Sequence, residues 1–205
     1  MSRERIIFFA VLIPSVILHE ISHGAVAYAF GDDTAKKAGR LSLNPIRHID
    51  PFGTIILPAI MVITTGSAFG YARPVPVNVR RLRNPRNHGL LVSLVGPTVN
   101  IVLALVAAAA LRFGLRNLRF DSIPVEIVFS LGLVNVILAT FNLLPIPPLD
   151  GSALLERVMP KSWWPRYLTF RQYSMGIVLA LVLLLPQVLG RVFDPAINLW
   201  FRLLG

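Results

Sequence analysis

The sequence contains no cysteine, which excludes disulfide bonds and thiolate metal sites. Charged residues are scarce as well: they make up 15% of the chain, compared with roughly 25% in soluble domains. Only ten residues are acidic, so a metal ion would have to be held by histidines and a few carboxylates. With 55% hydrophobic residues over 205 positions, the chain is predicted to be an integral membrane protein with a single domain, residues 1–205.

The net charge of +10 could indicate nucleic-acid binding. The arginines, however, stand beside apolar segments, as in the cluster Arg80–Arg86. Basic residues in that position are explained by membrane topology and by anionic lipid headgroups. We therefore expect the lipid bilayer as a partner and no nucleic acid.

The motif HExxH at residues 19–23 lies inside a long apolar run. On a helix, His19 and His23 are one turn apart on the same face, so two imidazoles can bind one metal ion. Glu20 is adjacent and can act on a water molecule at the metal without being a ligand. Zinc suits such a pair, because catalytic zinc takes three protein ligands and keeps one position open. Ionisable groups at membrane depth indicate function; the alternative is a polar contact between helices.

Hydropathy predicts an all-α polytopic bundle of about 4–5 transmembrane helices. Gly53–Gly70 is short and interrupted by glycine and proline, so it can either barely span or dip into the membrane and return. Val192–Leu204 is also short and is predicted to be an interfacial C-terminal helix or to pack in the bundle. The segments long enough to span are Arg5–Phe30, His88–Leu111, Ile123–Leu144 and Ser174–Leu189.

The polar connection at residues 34–52 is rich in turn residues, and its alternating pattern predicts a short strand or hairpin. His48 in this connection is either a fourth or regulatory metal ligand or, as we prefer, a surface-loop histidine. Tyr71–Asn78 is predicted to be extended because of its prolines.

A third metal ligand is expected at Asp150. This residue follows a helix that three prolines between residues 145 and 148 must break. A broken helix that lines a cavity is where polar chemistry at membrane depth is expected. The alternative is that Asp150 caps a short helix over Ser152–Val158.

Taken together, these motifs resemble the site-2 protease family of intramembrane zinc metalloproteases, in its compact prokaryotic branch without appended PDZ or CBS domains. No motif is decisive alone, but their order, spacing and membrane context are specific as a set. The resemblance rests on the HExxH motif at 19–23, Gly96-Pro97…Asn100, Asn142…Pro145…Pro147…Asp150-Gly151, Gly39–Pro45 and Ala72–Asn78.

The resemblance implies that His19, His23 and Asp150 bind one Zn²⁺ and that Glu20 is the general base. It also implies that Asn142 assists substrate or oxyanion binding, with Asn100 lining the same cavity. For both asparagines, hydrogen bonding between helices is nearly as good an explanation.

The resemblance further implies that Tyr71–Asn78 is an edge strand, to which an unwound substrate segment could add. It requires the HExxH helix and the Asp150-bearing helix to be parallel, with the Gly-Pro helix antiparallel between them. Gly53–Gly70 would then be re-entrant. The positive-inside rule agrees, because this arrangement puts most of the arginines and lysines on the cytosolic side.

The function implied is that of an intramembrane zinc endopeptidase of the cell membrane, which cuts transmembrane or membrane-associated regulatory proteins. Homo-oligomerisation is left open. The alternative is a non-proteolytic metal-binding or transporter-like membrane protein that uses the same ligands.

Overall fold

The computed structural model describes residues 3–57, 60, 70–115, 117–119 and 121–205. Its helices in chain order are α1 (Arg3–Ala29), α2 (Thr34–Lys37), α3 (Pro85–Ala109), α4 (Ile123–Asn142), α5 (Ser152–Val158), α6 (Trp164–Leu184) and α7 (Pro186–Leu204). Short helical turns lie at Pro45–His48, Pro51–Ile56, Val79–Arg81, Ala110–Gly114 and Lys161–Trp163. In the described residues, four helical segments are long and apolar enough to cross a membrane: Arg3–Ala29, Pro85–Gly114, Ile123–Asn142 and Lys161–Leu184. The predicted all-α polytopic class is confirmed.

Helices α1 and α4 run parallel, and α3 runs antiparallel to them. Arg3, at the start of α1, forms an ion pair with Glu126 in the first turn of α4, so these two helices begin at the same end. At the other end the backbone N–H of Arg83, just before α3, donates to Phe30 O at 3.0 Å. This is the order of directions that the resemblance implies.

The connection between α1 and α3 corrects the prediction of a strand or hairpin at residues 34–52. Within residues 34–52 the helical parts are α2, the turn Pro45–His48 and the start of the turn Pro51–Ile56. Before the turn Pro45–His48 the Asn44 side chain accepts a hydrogen bond from Ile46 N at 3.0 Å. A capped turn that begins at a proline interrupts the alternating pattern on which the strand was predicted.

The extended segment Tyr71–Asn78, which we call the strap, is not an edge strand, and no described residue lies in a β-strand. Two of its backbone N–H groups are bonded instead to carboxylates, one in α1 and one in the connection that follows α1. Val75 N donates to Glu20 Oε2 at 2.8 Å and Asn78 N donates to Asp32 Oδ2 at 2.6 Å. Proline at positions 74 and 76 removes the N–H groups that a ladder would need.

Most of the segment Gly53–Gly70 lies outside the described residues, so its re-entrant path stays a prediction. The described residues at its two ends are close together, because Tyr71 N donates to Gly53 O at 3.0 Å.

Helix α7 packs on the bundle through Trp200, which is 3% exposed. Its indole N–H donates to Ala104 O of α3 at 2.8 Å. A Cβ atom on Gly132 of α4 would lie 2.0 Å from the indole ring, so this close approach requires glycine. The contacts therefore support the bundle-packing alternative for the C-terminal helix, while its place relative to a membrane interface stays a prediction.

Candidate metal centre

His19 and His23 occupy adjacent turns of α1 and are 6% and 8% exposed. Their Nε2 atoms lie 3.1 Å apart, and the rings meet edge to face. The helical spacing of the motif thus brings both imidazoles to one point inside the bundle, as predicted.

Asp150 reaches the same point from the loop that follows α4. Its Oδ2 lies 3.1 Å from His19 Nε2 and 3.4 Å from His23 Nε2. The loop is folded back on α4, since Gly151 N donates to Asn142 O at 2.6 Å. The alternative role of Asp150 as a helix cap is wrong: Gly151 is the N-cap of α5, and the helix has no side-chain cap.

The other nitrogen of each imidazole contacts an acceptor. His19 Nδ1 lies 2.6 Å from Asn100 Oδ1, and His23 Nδ1 lies 2.6 Å from the backbone oxygen of Val92. A carbonyl oxygen can only accept, so each Nδ1 carries a hydrogen, and in the neutral imidazole Nε2 then presents a lone pair. Such outer partners orient histidines that bind metals.

This arrangement fits a zinc ion. Three electron pairs, from two neutral imidazoles and a carboxylate, point at one another over 3.1–3.4 Å, an arrangement that is repulsive unless a metal ion or a proton lies between them. Oδ2 of Asp150 is buried, and no group of the described residues donates a hydrogen bond to it. Ligands of a tetrahedral zinc ion with bonds near 2.1 Å are separated by about 3.3–3.4 Å. Among the described residues, these three form the group that could hold a metal.

Gly96 of α3 makes room for the ligand pair. A Cβ atom at this position would lie 2.4 Å from His23 Nε2 and 2.6 Å from His19 Cε1. No real Cβ comes that close to another heavy atom, so the approach of α3 to the two imidazoles requires glycine.

Glu20 lies beside the centre and is not part of the ligand group. Its side chain is half-buried, and Oε2 accepts the hydrogen bond from Val75 N in the strap. The carboxylate is therefore next to the metal ligands but held by the backbone of another segment.

The remaining predicted residues are placed differently. Asn100 is fully buried and contacts His19, whereas the amide of Asn142 donates to Leu138 O of its own helix at 3.0 Å. His48 is 3% exposed and its Nε2 lies 2.8 Å from Ser42 O, so the prediction of a surface-loop histidine is wrong, and His48 is not part of the ligand group either.

Two buried residues of the site, Ser15 and Asn135, were missed by the sequence reasoning. They are 1% and 0% exposed and are linked to Asn100 by hydrogen bonds. The signal that could have found Asn135 is its polarity inside the otherwise apolar stretch 131–139 of α4, since buried polar groups need partners.

Comparison with known proteins agrees with a metal centre at this site. The sequence profile of peptidase family M50 matches residues 117–185. The chain is 42% identical to the Bacillus subtilis protein named "Putative zinc metalloprotease YwhC", over 91% of this chain and 84% of that protein. It is 25% identical to "Zinc metalloprotease MJ0392" of Methanocaldococcus jannaschii, over 90% of this chain and 43% of that protein. No solved structure matches the chain.

Proposed function

We propose, from the premise that the chain belongs to peptidase family M50, that His19, His23 and Asp150 hold its zinc ion and that Glu20 is its general base. The protein is a zinc-dependent intramembrane protease with several membrane-spanning helices. The observation that supports the ligand set is the convergence of two Nε2 atoms and one carboxylate oxygen within 3.4 Å of one another.

When bound, zinc supplies a Lewis acid and activates water for attack on a peptide carbonyl. The side chain of Glu20 supplies the base. Because Val75 N–H holds Oε2, Oε1 is the oxygen that takes the proton from water and passes it to the leaving amine. Asn142, at the end of α4 beside the Asp150 loop, is proposed to bind the substrate backbone.

We propose that the strap aligns the substrate. A transmembrane helix has its peptide bonds shielded by internal hydrogen bonds, so it must unwind before hydrolysis. An extended substrate segment laid along Tyr71–Asn78 would lie beside Glu20, which touches the strap at Val75. The strap would hold that segment by contacts other than a β-ladder, because Pro74 and Pro76 have no N–H and the N–H of Val75 is bonded to Glu20. The substrate class is therefore transmembrane or membrane-associated protein segments.

We also propose that Gly53–Gly70 enters and leaves the membrane on one side. Two contacts support this path: Tyr71 N to Gly53 O at 3.0 Å, and Arg83 N to Phe30 O at 3.0 Å. The chain thus comes back to the end of the bundle that it left, and 18 residues are too few for two crossings. We also propose the cell membrane as the location and a single domain over residues 1–205.

The test uses the purified full chain in proteoliposomes with a model transmembrane substrate. Glu20→Gln should keep its zinc and lose cleavage, because the amide cannot take a proton. Glu4→Gln on the same helix is the matched control, since Glu4 is exposed, and it should cleave normally. Asp150→Ala should lose both zinc and cleavage.

Unchanged cleavage by Glu20→Gln would contradict the assigned base. Metal transport by the wild type, with no cleavage of any transmembrane substrate, would favour the transporter-like alternative.

A further inference from the structure

A buried chain of hydrogen bonds extends from His19 across three helices. His19 Nδ1 contacts Asn100 Oδ1 at 2.6 Å, Asn100 Nδ2 donates to Asn135 Oδ1 at 2.7 Å, and Asn135 Nδ2 donates to Ser15 Oγ at 2.9 Å. The two asparagines are 0% exposed and Ser15 is 1% exposed. An apolar bundle gains nothing from such residues for packing, and each must be hydrogen-bonded to be tolerated there.

The backbone acceptors beside Ser15 and Asn135 fix the donor and the acceptor of every hydrogen bond between Ser15 and His19. Ser15 Oγ donates to the backbone oxygen of Val11 at 2.8 Å, and Asn135 Nδ2 also donates to the backbone oxygen of Leu131 at 2.8 Å. Backbone oxygens only accept, so the Ser15 hydroxyl hydrogen is committed and its oxygen must accept from Asn135. Both N–H groups of the Asn135 amide are then in use, and its oxygen is the only polar atom left to face Asn100.

That oxygen determines how Asn100 is oriented. An acceptor on one side requires Asn100 to present its NH₂ group to Asn135 and its oxygen to His19. His19 then must carry its hydrogen on Nδ1, which leaves a lone pair on Nε2, the atom that faces Asp150. His23 needs no such chain, because the backbone oxygen of Val92 contacts its Nδ1 directly.

We propose that Asn135, anchored by Ser15 and Leu131, is a positioning residue that sets the tautomer and orientation of the metal ligand His19 through Asn100. Its side-chain hydrogen bonds among the described residues go to Asn100, Ser15 and Leu131 and not to a metal ligand. It lies on α4, the helix that leads to Asp150. Helix α4 thus orients the ligand His19 through Asn135 and also leads to the ligand Asp150. This inference goes beyond the proposed function but rests on its metal centre.

Substitutions at position 135 can separate positioning from packing. In Asn135→Leu an apolar side chain of similar size leaves Asn100 without its acceptor, so the Asn100 amide is free to turn its NH₂ group toward His19. In Asn135→Asp the acceptor is kept whether the carboxyl is charged or neutral, since an oxygen still faces Asn100. If Asn135 served only packing, Asn135→Asp would weaken zinc binding more than Asn135→Leu, because burying a carboxyl costs more than burying leucine.

The experiment measures zinc affinity of the full chain in detergent micelles, after removal of metal, by competition with a chelating dye. Cobalt absorption reports the ligand geometry. Asn135→Leu should bind zinc about 10–100-fold more weakly with an altered cobalt spectrum, as expected when an outer partner of a metal-bound histidine is lost. Asn135→Asp should stay within about threefold of the wild type. Thr140→Val is the matched control on α4, because the Thr140 hydroxyl donates to Val136 O of its own helix at 2.8 Å, and its zinc affinity should be unchanged.

Wild-type affinity and cobalt spectrum in Asn135→Leu would overturn the inference, and so would equal losses in the Leu and Asp variants. Should the Leu variant fail to fold, Asn135→Ala, which is smaller, replaces it with the same expected loss and the same contrary result. A wild-type chain that binds no zinc would instead overturn the metal centre itself, so the two failures are distinguishable.

Discussion

The Glu20 carboxylate and the Val75 backbone N–H are hydrogen-bonded at 2.8 Å, so the proposed base is held by the strap. The same strap is fixed at Asn78 by the carboxylate of Asp32 and at Arg73 by the backbone oxygen of His48, at 2.6 and 2.9 Å. The segment proposed to align the substrate therefore also sets the position of the base. A shift of the strap would move both together.

Removing the N–H of Val75 should impair the base and spare the metal. We expect Val75→Pro to cleave a model transmembrane substrate roughly 10–100-fold more slowly, because a hydrogen bond to a charged group contributes ~1.5–3 kcal/mol. Zinc content should remain that of the wild type, since the bond removed joins Val75 to Glu20, which is not part of the ligand group. Cleavage rate and bound zinc are measured on the same preparation.

Val75→Ala is the control for packing, because it keeps the N–H but loses the side chain that lies against Gly24. Its cleavage rate should be closer to the wild type than that of the proline variant. Equal rates in the two variants would mean that the hydrogen bond to Glu20 has no role.

The metal ligands were predictable because local rules place them. Helical spacing alone puts His19 and His23 on one face, and the prolines after α4 force a break that presents Asp150. The link from Asn135 through Asn100 to His19 was not predictable, since it depends on which faces of three helices meet. The hairpin prediction failed at Asn44, whose side chain caps a helical turn where alternation alone indicated a strand.

Gly96 gives a prediction that runs against helix propensity. Alanine is ordinarily better than glycine inside a helix by about 1 kcal/mol, yet a Cβ atom here would lie 2.4 Å from His23 Nε2. We expect Gly96→Ala to weaken zinc binding at least about tenfold by displacing the ligand pair. Chelator competition measures the affinity.

Gly89→Ala on the same helix is the matched variant, because its Cβ atom would make only an ordinary contact of 3.5 Å with Val79. It should bind zinc like the wild type. If Gly96→Ala also does so, the two imidazoles are not held against α3 as described.

The proposed path of Gly53–Gly70 can be tested by labelling, since the chain has no cysteine of its own. Single cysteines at Ala38 and Arg86, both exposed, should react with an impermeant thiol reagent from the same side of oriented vesicles. Asp121, in the loop at the opposite end of α3, should react only from the other side. Reaction of Ala38 and Arg86 from opposite sides would mean that the segment crosses the membrane.

Asp32 gives the prediction about pH, because it ties the strap to the end of α1. Its Oδ1 accepts from the hydroxyl and the backbone N–H of Thr34, and its Oδ2 accepts from Asn78 N at 2.6 Å. Burial by itself would raise the pKa of Asp32, but these hydrogen bonds hold the pKa below the ordinary 3.8. A carboxyl whose pKa is lower in the folded state stabilises the fold above its unfolded pKa, and this contribution disappears as the pH falls below that value.

Asp32→Asn should therefore lower the free energy of unfolding by about 2 kcal/mol at neutral pH, since an amide cannot accept all of these bonds. The difference from the wild type should shrink as the pH falls below about 4. Thermal unfolding in detergent between pH 3 and 7, followed by tryptophan fluorescence, measures both effects. Asp121→Asn, at an exposed ion pair with Arg119, is the control and should change stability little. A difference for Asp32→Asn that stays constant down to pH 3 would show that the charge of Asp32 does not hold the strap.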